Sequence, residues 1–310
     1  MKVVVTGALG HIGSRLIRDL PFLLPGCEIV MVDNMMTQRY CSLFNLPTEG
    51  RYRFIEADIS KMDLESLLAG VDVVIHLAAI TDAAGSFDRA AQVEENNFSA
   101  TRRVAEACAG TGVRLVTLSS TSVYGTQAEL VSEDCSEDEL KPQSPYATTK
   151  LKEERLVQQF VKERGLKAGI YRFGTIFGVS PGMRFHTAVN KLCWQAAMGL
   201  PITVWSTAYD QKRPYLDLGD ACNALAHIIS EELFDGRIYN VLTLNATVRE
   251  VVDAIRVYVP ALEVQFVDSK IMNQLSYEVS DARFRGTGYM PTARLSETLK
   301  QELMLLPSLN

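Results

Sequence analysis

The chain is predicted to be α/β, a doubly wound parallel sheet with a smaller, mostly C-terminal α/β unit, and three observations carry that expectation. Short apolar runs alternate with amphipathic segments through the first half. The first apolar run ends in a glycine-rich turn, and the alternation breaks down after about residue 175. Alternating strand and helix patterns imply βαβ units, whose parallel strands are covered by helices on both faces.

Residues 2–6 (KVVVT) read as a buried strand, because the N-terminal run is too short and too soon broken by Gly to be a signal peptide. Further strands are expected over 28–32, 51–56, 71–77, 114–119 and 167–173, with helices near 11–20, 60–69, 88–109 and 145–164 between them. Beyond the irregular GVSPGM, a helix is expected near 184–199, a short strand at 202–205, and helices near 218–231, 247–258 and 293–304. The change of pattern suggests two units: residues 1–175 with about 215–242, and about 176–214 with 243–310. At 310 residues, both can hold a proper core.

Composition narrows the function classes. A net charge of -6 gives no broad basic face for nucleic acid or an anionic membrane, so any phosphate site must be local. No apolar run approaches the roughly 20 residues that span a bilayer. The six cysteines lack a C-x-x-C pair and the four histidines lack metal-ligand spacing, which reads as reduced thiols, a cytoplasmic setting and no metal.

The chemistry begins where the first strand runs into TGALGHIG, with Gly7, Gly10 and Gly13 opening a helix. Glycine suits a sharp turn, a backbone touching pyrophosphate and a tight helix–strand contact, while the helix N-terminus supplies amides to the phosphates. The second strand ends in MVDN, placing Asp33 20 residues beyond Gly13, where a carboxylate can bond the ribose hydroxyls of NAD and repel the 2′-phosphate of NADP. The segments Ala57-Asp58-Ile59 and His76-Leu77-Ala78-Ala79 fall at further strand ends, where open α/β sheets present ligands. His76 reads as a positioning residue with no proton chemistry.

In SPYATTK, Tyr146 and Lys150 are four apart on an expected helix and so share a face. That spacing fits a proton-transfer pair, and it equally fits a Tyr ring packed under a snorkelling Lys.

The order TGALGHIG, VDN, EADI, HLAA, LSSTSVYG, PYATTK and YRFGTIFG resembles, over nearly the whole chain, the nucleotide-sugar epimerases and dehydratases of the extended short-chain dehydrogenase/reductase superfamily, which have a Rossmann-type NAD-binding fold. The resemblance implies NAD as cofactor and a catalytic set of Ser120, Tyr146 and Lys150. Tyr146 is then the acid/base, Lys150 lowers its pKa and holds the nicotinamide ribose, and Ser120 orients the substrate. The implied cofactor contacts are Gly7, Gly10, His11, Ile12, Gly13, Asp33, Asn34, Asp58, Ile59, Leu77, Ala78, Ala79, Asn97 and Ser119, with Tyr146 and Lys150. Substrate contacts are implied at Ser120, Thr121, Tyr146, Thr175, Arg184, Asn190 and Arg213. Ser119, Thr121 and Ser122 read mainly as loop hydroxyls that satisfy local backbone.

Dehydratases of this kind carry Asp-Glu after the catalytic hydroxyl, and related decarboxylases a Glu; here Thr121-Ser122 stands there. The implied reaction is therefore 4-epimerisation of a UDP-linked sugar, the hydride passing to NAD and back. Dehydratase, decarboxylase or reductase chemistry is the nearest alternative, and a silent NAD-sensing regulator is a second. Thr175 replaces the usual Asn, Asp217 the usual His, and TVWSTAYDQ the usual Gly-Asp-Gly turn, which puts the sugar and nucleotide in doubt. The resemblance also implies a homodimer formed through the Tyr146 helix and the helix before it.

Overall fold

The structure, a computed structural model, describes all residues except 82–86, 88–89, 126–129, 186, 269–276 and 306–310. The expected helix start at 88 and the His186 portion of a later helix lie outside the described residues.

Seven strands form one parallel sheet: β1 (Lys2–Thr6), β2 (Glu28–Asp33), β3 (Arg51–Glu56), β4 (Val73–His76), β5 (Arg114–Ser120), β7 (Ala168–Phe173) and β11 (Asp235–Val241). Their spatial order is β11-β7-β5-β4-β1-β2-β3, and every pairing is parallel. Covering of both faces explains the continuous apolar runs. Val3 and Val5 pack on one face with α1 (His11–Leu23) and α6 (Leu218–Ser230), while Val4 packs on the other with α2 (Leu64–Leu68), α3 (Ala90–Thr111) and α4 (Pro145–Arg164). The chain reverses its winding between β1 and β4, so the crevice at their carboxyl ends is the natural ligand position.

A second core is built from α5 (Ala188–Ala197), α7 (Val248–Arg256) and α9 (Leu295–Met304) with the parallel pair β9 (Ile202–Trp205) and β13 (Val264–Val267). Between it and the large sheet lies a three-stranded sheet in which β10 (Lys212–Asp217) pairs with β8 (Thr175–Phe177) and β12 (Leu244–Thr247). The short pair β6 (Leu130–Val131) and β14 (Glu278–Val279) and the helix α8 (Ala282–Arg285) complete the described elements.

Candidate active site

Gly7 follows β1 with φ of +63°, and a Cβ there would stand 2.7 Å from the Ala78 amide nitrogen after β4. Only glycine allows the turn and the strand-end approach together. A Cβ at Gly13 would lie 2.4 Å from Gly7 O, so this glycine lets α1 sit directly on the turn. The first internal bond of α1 runs from Ser14 N to Gly10 O (2.8 Å), so the earlier amides, including those of Ile12 and Gly13, point out of the helix end. Ile12 itself packs against the core. The His11 imidazole turns away, its Nε2 lying 2.8 Å from Gly178 O, and ties α1 to the segment after β8.

A cleft runs from this turn along the strand ends, lined by Gly7, Gly10, Asp33, Asn34, Asp58, Ile59, Leu77, Ala78 and Ala79. Asp33 is fixed by two amides, Leu9 N on Oδ2 and Met35 N on Oδ1, each at 3.0 Å. Met36, Thr37, Arg39 and Asn96 also line the cleft and were missed in the sequence. Arg39 is six positions beyond Asp33, in a loop with no periodicity to mark it.

Beneath the cleft, Thr6 Oγ1 accepts from Leu77 N and Ala78 N (3.2 Å each) and lies 2.8 Å from His76 Nδ1. With its lone pairs taken, the hydroxyl donates to Nδ1 and the imidazole proton sits on Nε2. Burial first, then the Lys150 charge, push the His76 pKa down to about 3, so the ring stays neutral.

The residues expected to transfer protons come from α4. Ser144 caps it by accepting from Ala147 N (3.1 Å), Pro145 fits its first position, and Gly165 in the left-handed region ends it. Tyr146 and Lys150 thus fall on the first two turns, beside the end of β5, with the Lys150 ammonium 5.9 Å from the centre of the Tyr146 ring. Ser120 ends β5 and caps the turn over residues 121–124; its Oγ accepts from Ser122 N (3.2 Å) and Ser122 Oγ (2.9 Å), leaving its own proton to donate. Burial raises the Tyr146 pKa and the Lys150 charge opposes the rise. The Lys150 Nζ is 2.8 Å from Glu153 Oε2, which overcomes burial and raises the lysine pKa.

Several expected contacts change role. The Ser119 hydroxyl donates to Glu154 Oε1 (2.5 Å), so it serves neither local backbone nor the cleft. Thr121 Oγ1 reaches Phe173 O (3.4 Å), a distant strand rather than local backbone. Asn97 is fully buried with its amide spent on Ile80 N and O (2.8 and 2.9 Å), bracing the segment after β4 while its neighbour Asn96 faces the cleft. Asn190 is also fully buried; it accepts from Gly178 N (3.3 Å) and donates to Arg184 O (2.9 Å), and so shapes the loop as a brace. Asp217 caps α6 through Gly219 N and Asp220 N and accepts from Thr298 Oγ1 (2.6 Å). Thr175 opens β8 opposite Tyr215 and is half-buried.

Two cations remain at the substrate end. Arg184 donates to Thr81 Oγ1, and its charge is among those that lower the Tyr146 pKa. Arg213 on β10 holds a buried Nε without a partner and acts on the phenols of Tyr215 and Tyr277.

Residues 3–241 match the model of the NAD dependent epimerase/dehydratase family. The chain belongs to that family. Among its relatives is a Bacillus subtilis protein named uncharacterized UDP-glucose epimerase YtcB, 32% identical over 78% of this chain and 76% of its own length. A trifunctional UDP-glucose 4,6-dehydratase, 3,5-epimerase and reductase of Arabidopsis thaliana is 27% identical over 97% of this chain, which spans only 46% of that enzyme's length. The solved structure of a Bacillus cereus UDP-glucuronic acid 4-epimerase variant, in complex with a fluorinated UDP-glucuronic acid and NAD, is 26% identical, with a TM-score of 0.90 over 99% of both chains.

The residues present fit the family's NAD. The cleft at Gly7 is one a Cβ would close, the amides at the start of α1 suit a pyrophosphate, and the Asp33 carboxylate is aimed and held by backbone. In this epimerase/dehydratase chain spacing marked the Gly7 turn and Asp33, while Arg39 and Asn96 come forward only in three dimensions.

Proposed function

We propose that the chain is an NAD-dependent nucleotide-sugar 4-epimerase acting on a UDP-linked sugar. The observation that carries this reading is the arrangement at the end of β5: a Tyr–Lys pair on α4 and a free-donating Ser120, with Thr121 and Ser122 where an eliminating enzyme needs acids. The two carboxylates nearest by sequence, Glu153 and Glu154, are each 1% exposed and bonded to Lys150 and Arg172, so neither reaches a substrate proton.

Tyr146 Oη takes the proton from the C4 hydroxyl and later gives it back to the opposite configuration. Lys150 supplies the charge that favours the phenolate, because a free phenol near pKa 10 is a weak base at neutral pH. Ser120 donates to the reacting oxygen. NAD, when bound, supplies a hydride acceptor that returns what it takes, so no outside reductant is needed. Gly7, Gly10 and the first amides of α1 hold its pyrophosphate, Asp33 its ribose, and Asn34, Asp58, Ile59 and Leu77–Ala79 line its cleft. On this reading Arg184 and Arg213 offer their charges to the substrate diphosphate, and Thr121 and Thr175 are its expected sugar contacts.

The same reading assigns residues 1–175 with about 215–242 to cofactor binding and the remainder to substrate binding. Support comes from β11 and α6 rejoining the large sheet and its core, while α5, α7 and α9 share a core of their own. It includes a cytoplasmic homodimer packed through α3 and α4, for which light scattering on the pure protein is the check. No helix among the described residues is long and apolar enough to cross a membrane.

The function is tested by incubating the protein with UDP-, dTDP- and GDP-sugars and identifying products by NMR. A product differing from its substrate only at C4 is expected. A stable 4-keto-6-deoxy sugar would favour the dehydratase chemistry of the plant relative.

A further inference from the structure

Glu153 is an acid that neither cofactor binding nor proton transfer has used. It follows Lys150 by three positions on α4, so the helix turns both to one side. Its Oε2 accepts from Lys150 Nζ at 2.8 Å and from Thr101 Oγ1 of α3 at 3.1 Å, while Oε1 is buried with no partner. A carboxylate kept in half-satisfied burial costs stability, so a merely structural clamp does not account for it.

We propose that Glu153 is a positioning residue for the Tyr146–Lys150 pair: its carboxylate anchors Lys150 as an ammonium, and its negative charge opposes the ionisation of Tyr146. The other charged and titratable groups around the pair do not fill this role. His76, from the end of β4, stays neutral, and Thr101 of α3 carries no charge. Glu154 on α4 faces Arg172 and Ser119, which offset it. Arg184, from the segment after β8, is a permanent cation that favours the phenolate. Glu153 is thus the carboxylate bonded to Lys150, and its charge, ahead of a smaller contribution from Glu154, raises the Lys150 pKa; it also raises that of Tyr146. The pair is thereby tuned to keep the lysine charged at the expense of a less acidic phenol.

This inference rests on Tyr146 as the acid/base, and its test reads that phenol with no sugar present. Phenolate absorbance of the NAD-loaded full chain is titrated in the ultraviolet, and the same titration of the Tyr146→Phe background is subtracted to isolate Tyr146. Glu153→Gln removes the charge but keeps the shape, and should lower the Tyr146 midpoint by about one pH unit, roughly tenfold more phenolate at a fixed pH below it. Glu153→Asp, which keeps the charge, should stay close to the native midpoint. If Glu153→Gln does not fold, Glu153→Asp and Glu153→Asn make the same comparison at equal length. A lowered melting temperature with an unmoved Tyr146 midpoint would overturn the proposal. Sugar turnover by the native chain alongside that result would leave the epimerase reading intact, so the two ideas fail separately.

Discussion

Arg172 and Glu154 form a two-pronged ion pair in the interior, Nε to Oε1 at 2.8 Å and Nη2 to Oε2 at 2.6 Å, with each side chain 2% exposed. Ser119 adds its hydroxyl to the same carboxylate, and the guanidinium lies 4.7 Å from the centre of the Tyr124 ring. The pair bolts α4 to β5 and β7 one turn along the helix from Lys150. Glu154→Gln leaves a buried cation short of its counter-charge and should cost about 3–5 kcal/mol. Calorimetry should register this as a clear fall in melting temperature, and Glu154→Leu with Arg172→Met should recover most of it. No change on breaking the pair alone would contradict its structural role.

Asp33, whose two oxygens are held by Leu9 N and Met35 N, is the residue we propose sets the cofactor choice. The native chain should bind NAD far better than NADP. Asp33→Ala should narrow the gap by about tenfold or more, because the repulsion is gone while Arg39 remains in the cleft to meet a 2′-phosphate. Adding Arg39→Ala should undo that gain. Titration showing equal or tighter NADP binding by the native chain would remove Asp33 from the ribose.

Stability should depend on pH through Glu302 on α9. Both of its oxygens are buried without a hydrogen bond of normal geometry, and burial pushes its pKa up to about 7 from 4.5. The folded state therefore prefers the protonated acid. The protein keeps its full stability below about pH 4.5 from this group and loses it progressively as pH rises to 7, by about 3 kcal/mol in all. Glu302→Gln should raise the melting temperature at pH 8 by roughly 5 °C and by much less at pH 5. A gain that is equal at both values would place the effect in packing rather than in charge.

Tyr146→Phe keeps the ring and removes the ionisable oxygen. Turnover should fall about 100- to 10,000-fold with NAD still bound. Near-native turnover would return the Tyr–Lys spacing to a packing arrangement.

The first half of the fold was legible because its strands are continuous apolar runs and its helices long. The helix expected over 145–164 forms as Pro145–Arg164, and the strands at 2–6 and 51–56 form at those bounds. The small strands were not legible. β10 contains Pro214 and two basic residues, and β12 reads Leu-Asn-Ala-Thr, so neither shows a strand's alternation; tertiary pairing with each other makes them strands. At the site, backbone positions such as Gly7 followed from the turn they must form. Side-chain partners did not: nothing in the sequence says that Ser119 meets Glu154 or that Asn97 spends its amide on Ile80, because each joins elements distant in the chain. Glu153 did carry a signal, its i,i+3 spacing from Lys150.

The most direct test follows a deuterium at C4 of the accepted nucleotide sugar. With Tyr146 moving only the hydroxyl proton and no acid at Thr121 or Ser122, hydride leaves and returns at one carbon within one site. The product should keep its deuterium at C4, take none from solvent, and form without net reduced cofactor. Deuterium found at C6, or solvent hydrogen at C4 of the product, would contradict direct return and with it the 4-epimerase account.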